Sequence, residues 1–270
     1  MSWLDRLQDH PFDVDARFDF SLVLTWALPI EVLQPLLPPM LQVDTFDDAA
    51  GRRQGFLAVA MVQTRGLRPS RLPPVFGRDF FLIGTRIFAR CTLTSGQRLR
   101  GLSILRSQTN RAAMRVLGDR FTRYRYETID IDVVRTDDRI TVSSGDFLVD
   151  VDTASSAAVG TDDDSDHGDP DTALLPAGSP FTTWKQARRF AGPMPYTFSA
   201  VAGRDDEVLV VEGVRSQWHP RAVRVREQHV PFFAERGLPG AVLASAFLVE
   251  DVPYHWKAGR RERCPTPSPA

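Results

Sequence analysis

"FFLIGTRIFARCTL" (80–93) and "RLRGLSILRS" (98–107), joined by "TSGQ" (94–97), decide the fold class. Each is a strand-length apolar run, and the link is a Ser-Gly turn, so the pair reads as two mostly buried strands. Two more apolar runs precede them, "RFDFSLVLTWAL" (17–28), which stops at Pro29, and "GFLAVAMVQT" (55–64). Further on, "YRYETIDIDVVR" and "RITVSSGDFLVDVD" alternate with period two around Thr136, Asp137 and Asp138, the pattern of a hairpin with one face in and one out. "EVLVVEGV", "AVRVREQHV" and "VLASAFLVEDV" read as three further strands.

Helical signals are short. "IEVLQPLL" (30–37) lies between prolines, "TNRAAMRVLG" (109–118) has Thr109 as an N-cap and Gly118 at its exit, and "TTWKQARRF" (182–190) is capped by Thr182 or Thr183. The expectation is a mainly β fold (α+β) of antiparallel strands with a few short helices. Its sheet should be closed or nearly closed, because bare edges invite unwanted pairing.

The chain has 270 residues, with 20 prolines and 18 glycines to supply the turns such a fold needs. Its formal charge of −1 argues against general nucleic-acid binding, which requires a surplus of positive charge. Cys91 and Cys264 read as two free thiols in a reducing compartment rather than a disulfide. The start "MSWLDRLQDHPF" carries charges where a signal peptide needs an apolar run, and no window has the apolar length of a membrane span. A cytoplasmic protein without a membrane partner is expected.

"TASSAAVGTDDDSDHGDPDT" (153–172) is small, polar and acidic, and reads as a flexible loop within a single domain spanning 1–270. Its "DDDSD" is a poor calcium loop, since His167 displaces the turn glycine and Ala173 stands where a bidentate glutamate belongs. The tail after about residue 259 is expected to be disordered.

No nucleophile elbow, P-loop, dinucleotide-binding glycine pattern or metal-spaced histidine pair occurs, so neither metal nor cofactor is expected. His219 and His229 read as ordinary surface histidines and His255 as a packing residue. The arginines carry more information. Basic residues number 33, of which only Lys185 and Lys257 are lysines, and residues 104–127 hold six arginines, two tyrosines and no lysine. Arg86 interrupts an apolar strand, where a guanidinium must pair with an acid or bind a ligand. Arg106 ends the apolar "GLSIL" run in the same way. Both suit planar recognition of a carboxylate, and structural ion pairs with Asp79, Asp119 or Glu127 are the competing reading. Arg123 and Arg125 share one strand face and Tyr124 and Tyr126 the other; either pair could point inward. Arg86, Arg106, Arg123, Tyr124 and Asp79 are thus the candidate ligand-binding residues.

"LTWALPIEVLQPLLPPMLQVDTF", "FFLIGTRIFAR", "GLSILRSQTNRAAMRVLG", "SPFTTWKQARRFAGPMPYTF" and "VEDVPYHWKAG" together resemble the DUF2071 family, uncharacterised bacterial proteins related in fold to acetoacetate decarboxylase. The resemblance runs from about Phe18 to Gly259. It implies an acetoacetate decarboxylase-like, cone-shaped antiparallel β-barrel with a central pocket, often in homo-oligomers. Acetoacetate decarboxylase forms a Schiff base through a lysine of lowered pKa, which follows a segment resembling residues 109–120. Here "GDRFTRYRYE" (118–127) offers only arginine and tyrosine, and arginine cannot lose its proton to form an imine. Relatives also place an acid four residues before the strand arginine, at a position that is Leu82 here. The leading expectation is therefore a barrel that binds a small carboxylate metabolite without Schiff-base chemistry. The alternatives are an enzyme using Tyr124 or Asp79 for acid–base work, and a nucleic-acid or partner-binding module.

Overall fold

The computed structural model describes residues 6–153, 175–215 and 219–265. The acidic loop and its calcium reading lie outside the described residues, apart from Thr153. The first strands are β1 (Val14–Leu28), β2 (Gln42–Val43), β3 (Phe46–Asp47), β4 (Arg53–Pro69), β5 (Arg78–Thr92), β6 (Arg98–Thr109), β7 (Tyr126–Thr128) and β8 (Asp132–Arg135). They are followed by β9 (Arg139–Ser144), β10 (Phe147–Asp152), β11 (Tyr196–Val201), β12 (Arg204–Arg215), β13 (Arg221–Ala222), β14 (Arg224–His229), β15 (Val242–Trp256) and β16 (Arg260–Arg263). Short α-helices among the described residues join them: α1 (Ile30–Leu33), α2 (Ala112–Phe121), α3 (Trp184–Ala191) and α4 (Phe232–Glu235). The chain is mainly β, as its patterning indicates.

The large sheet runs β13–β15–β1–β4–β5–β6–β11–β12–β16, antiparallel except where β11 joins β6. β12 also pairs with β15, through Gly213↔Trp256, Val214↔His255 and Arg215↔Tyr254, so the path comes back to β15, its second strand. A second sheet, β14–β10–β9–β8, stands apart. Its apolar side chains Ile140, Val142, Val149 and Val151 pack with Leu22, Leu24, Val59 and Ile87 from the outer face of the large sheet. Both faces of the central strands are thereby buried, which is why they read as continuous apolar runs rather than as alternating ones.

On the inner face, Phe46, Phe56, Phe88, Phe181 and Phe190 form an aromatic cluster around α3, with Phe56 and Phe181 stacked at 5.3 Å. The Thr183 hydroxyl caps α3 by accepting from the Gln186 amide at 3.1 Å, as the sequence predicts. α2 differs from expectation. It begins at Ala112 with Arg111 at the N-cap, while Thr109 completes β6. Gly118 is interior to the helix instead of ending it, because the Tyr126 ring lies where a Cβ would project. β7 starts only at Tyr126, since Arg125 adopts left-handed backbone (φ 51°) and breaks the strand expected from Tyr124 onward. β11 went unread in the sequence.

Two expectations are overturned at the C-terminal end. Residues 260–263 form β16 on the edge of the sheet, paired with β12, rather than a disordered tail. That pairing carries Cys264 back to β5, where it is joined to Cys91 in a disulfide spanning 173 residues of sequence. Free thiols were expected because nothing local in the sequence connects the two positions. The bond removes the thiol argument for a reducing cytoplasm, since disulfides persist chiefly in oxidising compartments. Among the described residues, no helix is long and apolar enough to cross a membrane.

Candidate ligand-binding cavity

The inner face of the large sheet surrounds a cavity of ≈ 880 Å³. It exists because the inward positions of the wall strands are held by small residues: Ser21 on β1, Ala58 on β4 and Gly84 on β5 all line it. The aromatic cluster closes one end through Phe88. Leu72 and Phe76 from the β4–β5 connection, Arg78 and Asp79 at the start of β5, and Arg111 and Leu117 from the α2 region surround the other.

Arg86 lines the cavity from the middle of β5. Among the described residues no carboxylate pairs with it, and its electrostatic neighbour is the Tyr254 hydroxyl. Burial pushes the guanidinium down to about 10, which still leaves it charged at neutral pH. A protein seldom keeps a cation in such a place without a counter-charge.

Three tyrosines share its surroundings. Tyr254 comes from β15, stacks on Phe18 at 4.9 Å, and accepts a hydrogen bond from Arg215. Tyr124 follows α2 and pairs with Thr197 of β11, and Tyr126 packs edge-on to it at 6.3 Å. Burial raises all three hydroxyls above the ordinary phenol value; Arg215 and Arg86 partly offset this at Tyr254. They are therefore protonated hydrogen-bond partners rather than bases. Both Tyr124 and Tyr126 line the cavity while Arg123 turns away, which settles the inward face of this segment.

Arg106 does not reach the cavity. It contacts Glu235 at 2.6 Å and lies over the Phe232 ring, on the opposite face of the sheet. The cause is a bulge. β5 and β6 pair Arg86 with Ile104 but Thr85 with Arg106, so Leu105 is an extra residue and the alternation of β6 inverts there. Ile104 and Ser107 face the cavity in consequence. Arg123 instead donates from Nε and Nη2 to Asp9 Oδ1 at 2.9 and 2.8 Å. Asp79 sits at the rim, where the Gly66 amide (2.8 Å) and then Arg65 (3.1 Å) hold its carboxyl below the usual range.

Sequence reading missed Tyr254, although Val252, Tyr254 and Trp256 alternate along one strand and carried the signal. It also missed His10. This imidazole lines the cavity, is only 8% exposed, and leaves Nδ1 without a hydrogen-bond partner among the described residues. Its backbone is left-handed (φ 54°) and is fixed from both sides: its amide donates to Phe121 and its carbonyl accepts from Gly259. Burial holds the ring below the ordinary imidazole value. Neither lysine of the chain lines the cavity, and Lys257 contacts Glu212 at 2.8 Å. Among the described residues, no group of three His, Cys, Asp or Glu side chains is placed to hold a metal ion.

Solved structures share this fold. An acetoacetate decarboxylase from Legionella pneumophila aligns with a TM-score of 0.54 at 10% identity, covering 92% of this chain and 86% of that one. An acetoacetate decarboxylase-like enzyme from Sphingomonas wittichii RW1 aligns at 0.51 and 13% identity, covering 96% and 94%. The enduracididine biosynthesis enzyme MppR, complexed with the condensation product of pyruvate and imidazole 4-carboxaldehyde, aligns at 0.51 and 9% identity, covering 93% and 89%. At these identities the likeness is one of fold. No curated protein sequence matches the chain. The DUF2071 family model, described as an uncharacterized conserved protein, matches residues 15–243. The chain belongs to the DUF2071 family.

Proposed function

We propose that this protein binds a small carboxylate-bearing molecule in the inner cavity, with Arg86 as its anion contact and without imine chemistry. One observation carries the reading: a buried guanidinium faces the cavity and has no carboxylate partner among the described residues. A bound carboxylate supplies the missing counter-charge, and the fork of guanidinium donors fits it in two places. Tyr254 and Tyr124, held protonated, provide further donors beside it. We read the returning sheet as the wall of a cone-shaped barrel around this site. The carboxylated ligand of MppR, named above, supports an acid of this kind on this fold.

Schiff-base decarboxylation is disfavoured because the cavity wall contains no lysine. The acid–base alternative has less support, since Tyr124 keeps its proton and Asp79 is engaged at the rim. The test is a thermal-shift screen of carboxylic acids against wild type and Arg86→Met. Acids that raise the melting temperature of wild type but not of the variant support the reading. Equal shifts in both proteins overturn it.

A further inference from the structure

A carboxylate contact says nothing yet about the rest of the ligand, and the cavity does. At ≈ 880 Å³ it lies near the upper end of small-molecule sites, which run from about 300 to 1,000 Å³. A three- or four-carbon acid held at Arg86 would leave most of this space to water against apolar walls. Val23, Val62, Leu82, Phe88, Leu102 and Ile104 supply those walls. The other charged lining residues, Arg68, Arg78, Asp79 and Arg111, belong to strand ends and connections at the rim, leaving Arg86 as the interior charge among the described residues. Asp79 and Arg86 are seven residues apart on β5, about 23 Å at a strand's rise of about 3.3 Å per residue. Around the rim, Leu72 (43%), Phe76 (57%) and Leu117 (45%) are exposed to an extent unusual for large apolar side chains.

We infer that the ligand is an amphipathic carboxylate, with its head at Arg86 and a long apolar body running along β5 toward Leu72, Phe76 and Leu117 at the rim. The inference rests on the anion reading above and adds the ligand class. Its head meets the Arg86 guanidinium, and its body displaces water from surfaces that gain by losing it. Gly84 is the position on which this depends. It is two residues from Arg86 on the same face of β5, and no atom lies within 4 Å of where its Cβ would stand. A Cβ there would enter the cavity clear of the wall.

The experiment is calorimetric titration of butyrate, octanoate, decanoate and dodecanoate into wild type, Gly84→Phe and Arg86→Met. Affinity for wild type is expected to rise about fourfold per added methylene, the increment for burying one CH₂. Gly84→Phe is expected to remove this chain-length dependence while keeping the melting temperature of wild type. Arg86→Met is expected to weaken every acid. Affinity that is flat with chain length yet lost in Arg86→Met overturns the amphipathic ligand and leaves the anion reading standing. Long-chain binding undiminished in Gly84→Phe likewise overturns it, by placing the tail elsewhere. Affinities undiminished in Arg86→Met, or no binding of any acid to wild type, overturn the anion reading itself.

Discussion

Arg86 and Arg106 sit on adjacent hydrogen-bonded strands and face opposite sides of the same sheet. One extra residue, Leu105, separates an arginine that lines the cavity from one that packs outside it against Glu235 and Phe232. The two should therefore respond differently to removal. Arg106→Ala loses an ion pair with a partly exposed partner, worth about 0–1 kcal/mol, and leaves ligand binding unchanged. Arg86→Met replaces an uncompensated cation with an apolar chain of similar length. It should keep or raise stability in the absence of ligand while weakening the binding of every carboxylate. Urea denaturation with a parallel binding titration measures both.

Gly118 belongs to the same design, since its bare backbone receives the Tyr126 ring that lines the cavity beside Tyr124. Gly118→Ala should destabilise by about 1–3 kcal/mol through overpacking, despite the better helix propensity of alanine. A control alanine at an exposed helix site, Arg115→Ala, should not.

The Cys91–Cys264 bond closes a loop across most of the chain. Replacing both cysteines by serine should cost about 2–4 kcal/mol. Thiol titration of the unfolded protein, with and without reductant, checks the bond independently: none should react until reductant is added.

Stability should fall in two acid steps. His10 is held below the ordinary imidazole value by burial, so it is neutral in the fold. The unfolded chain takes up its proton first as pH drops below about 6.5, and stability declines from there through the lower folded value. Asp13 is the nearby charge that opposes this. The second step comes below about pH 4, from carboxyls held low in the fold. Asp15 is held by His255, Asp79 by the Gly66 amide and Asp150 by Arg139. His10→Asn keeps a residue that tolerates left-handed backbone. It should flatten the first step in a pH series of melting temperatures and leave the second.

The strands were legible because their apolar runs are long and their turns carry Gly and Asp. Arg86 was legible for the converse reason, as one charge in such a run. Arg106 was singled out by the same rule, as a charge ending an apolar run. That rule does not say which face it takes, and the extra Leu105 turns it outward to an ion pair with Glu235. Tyr124 and Tyr126 were correctly paired on one face, although the backbone reaches that face through a left-handed Arg125 rather than a continuous strand. The disulfide, the β12–β15 pairing and the seat of His10 join segments far apart in sequence. No local pattern encodes such joins, and they bring Tyr254 to Arg86 and Cys264 to Cys91.

The central claim, that Arg86 receives a carboxylate inside the sheet, is tested most directly by a crystal structure with a bromine-tagged long-chain acid. We predict the carboxylate at about 2.7–2.9 Å from the Arg86 guanidinium nitrogens. The anomalous bromine peak should lie toward Leu72 and Phe76. A carboxylate seated elsewhere on the protein, with the Arg86 side of the cavity free of the acid, would contradict the account.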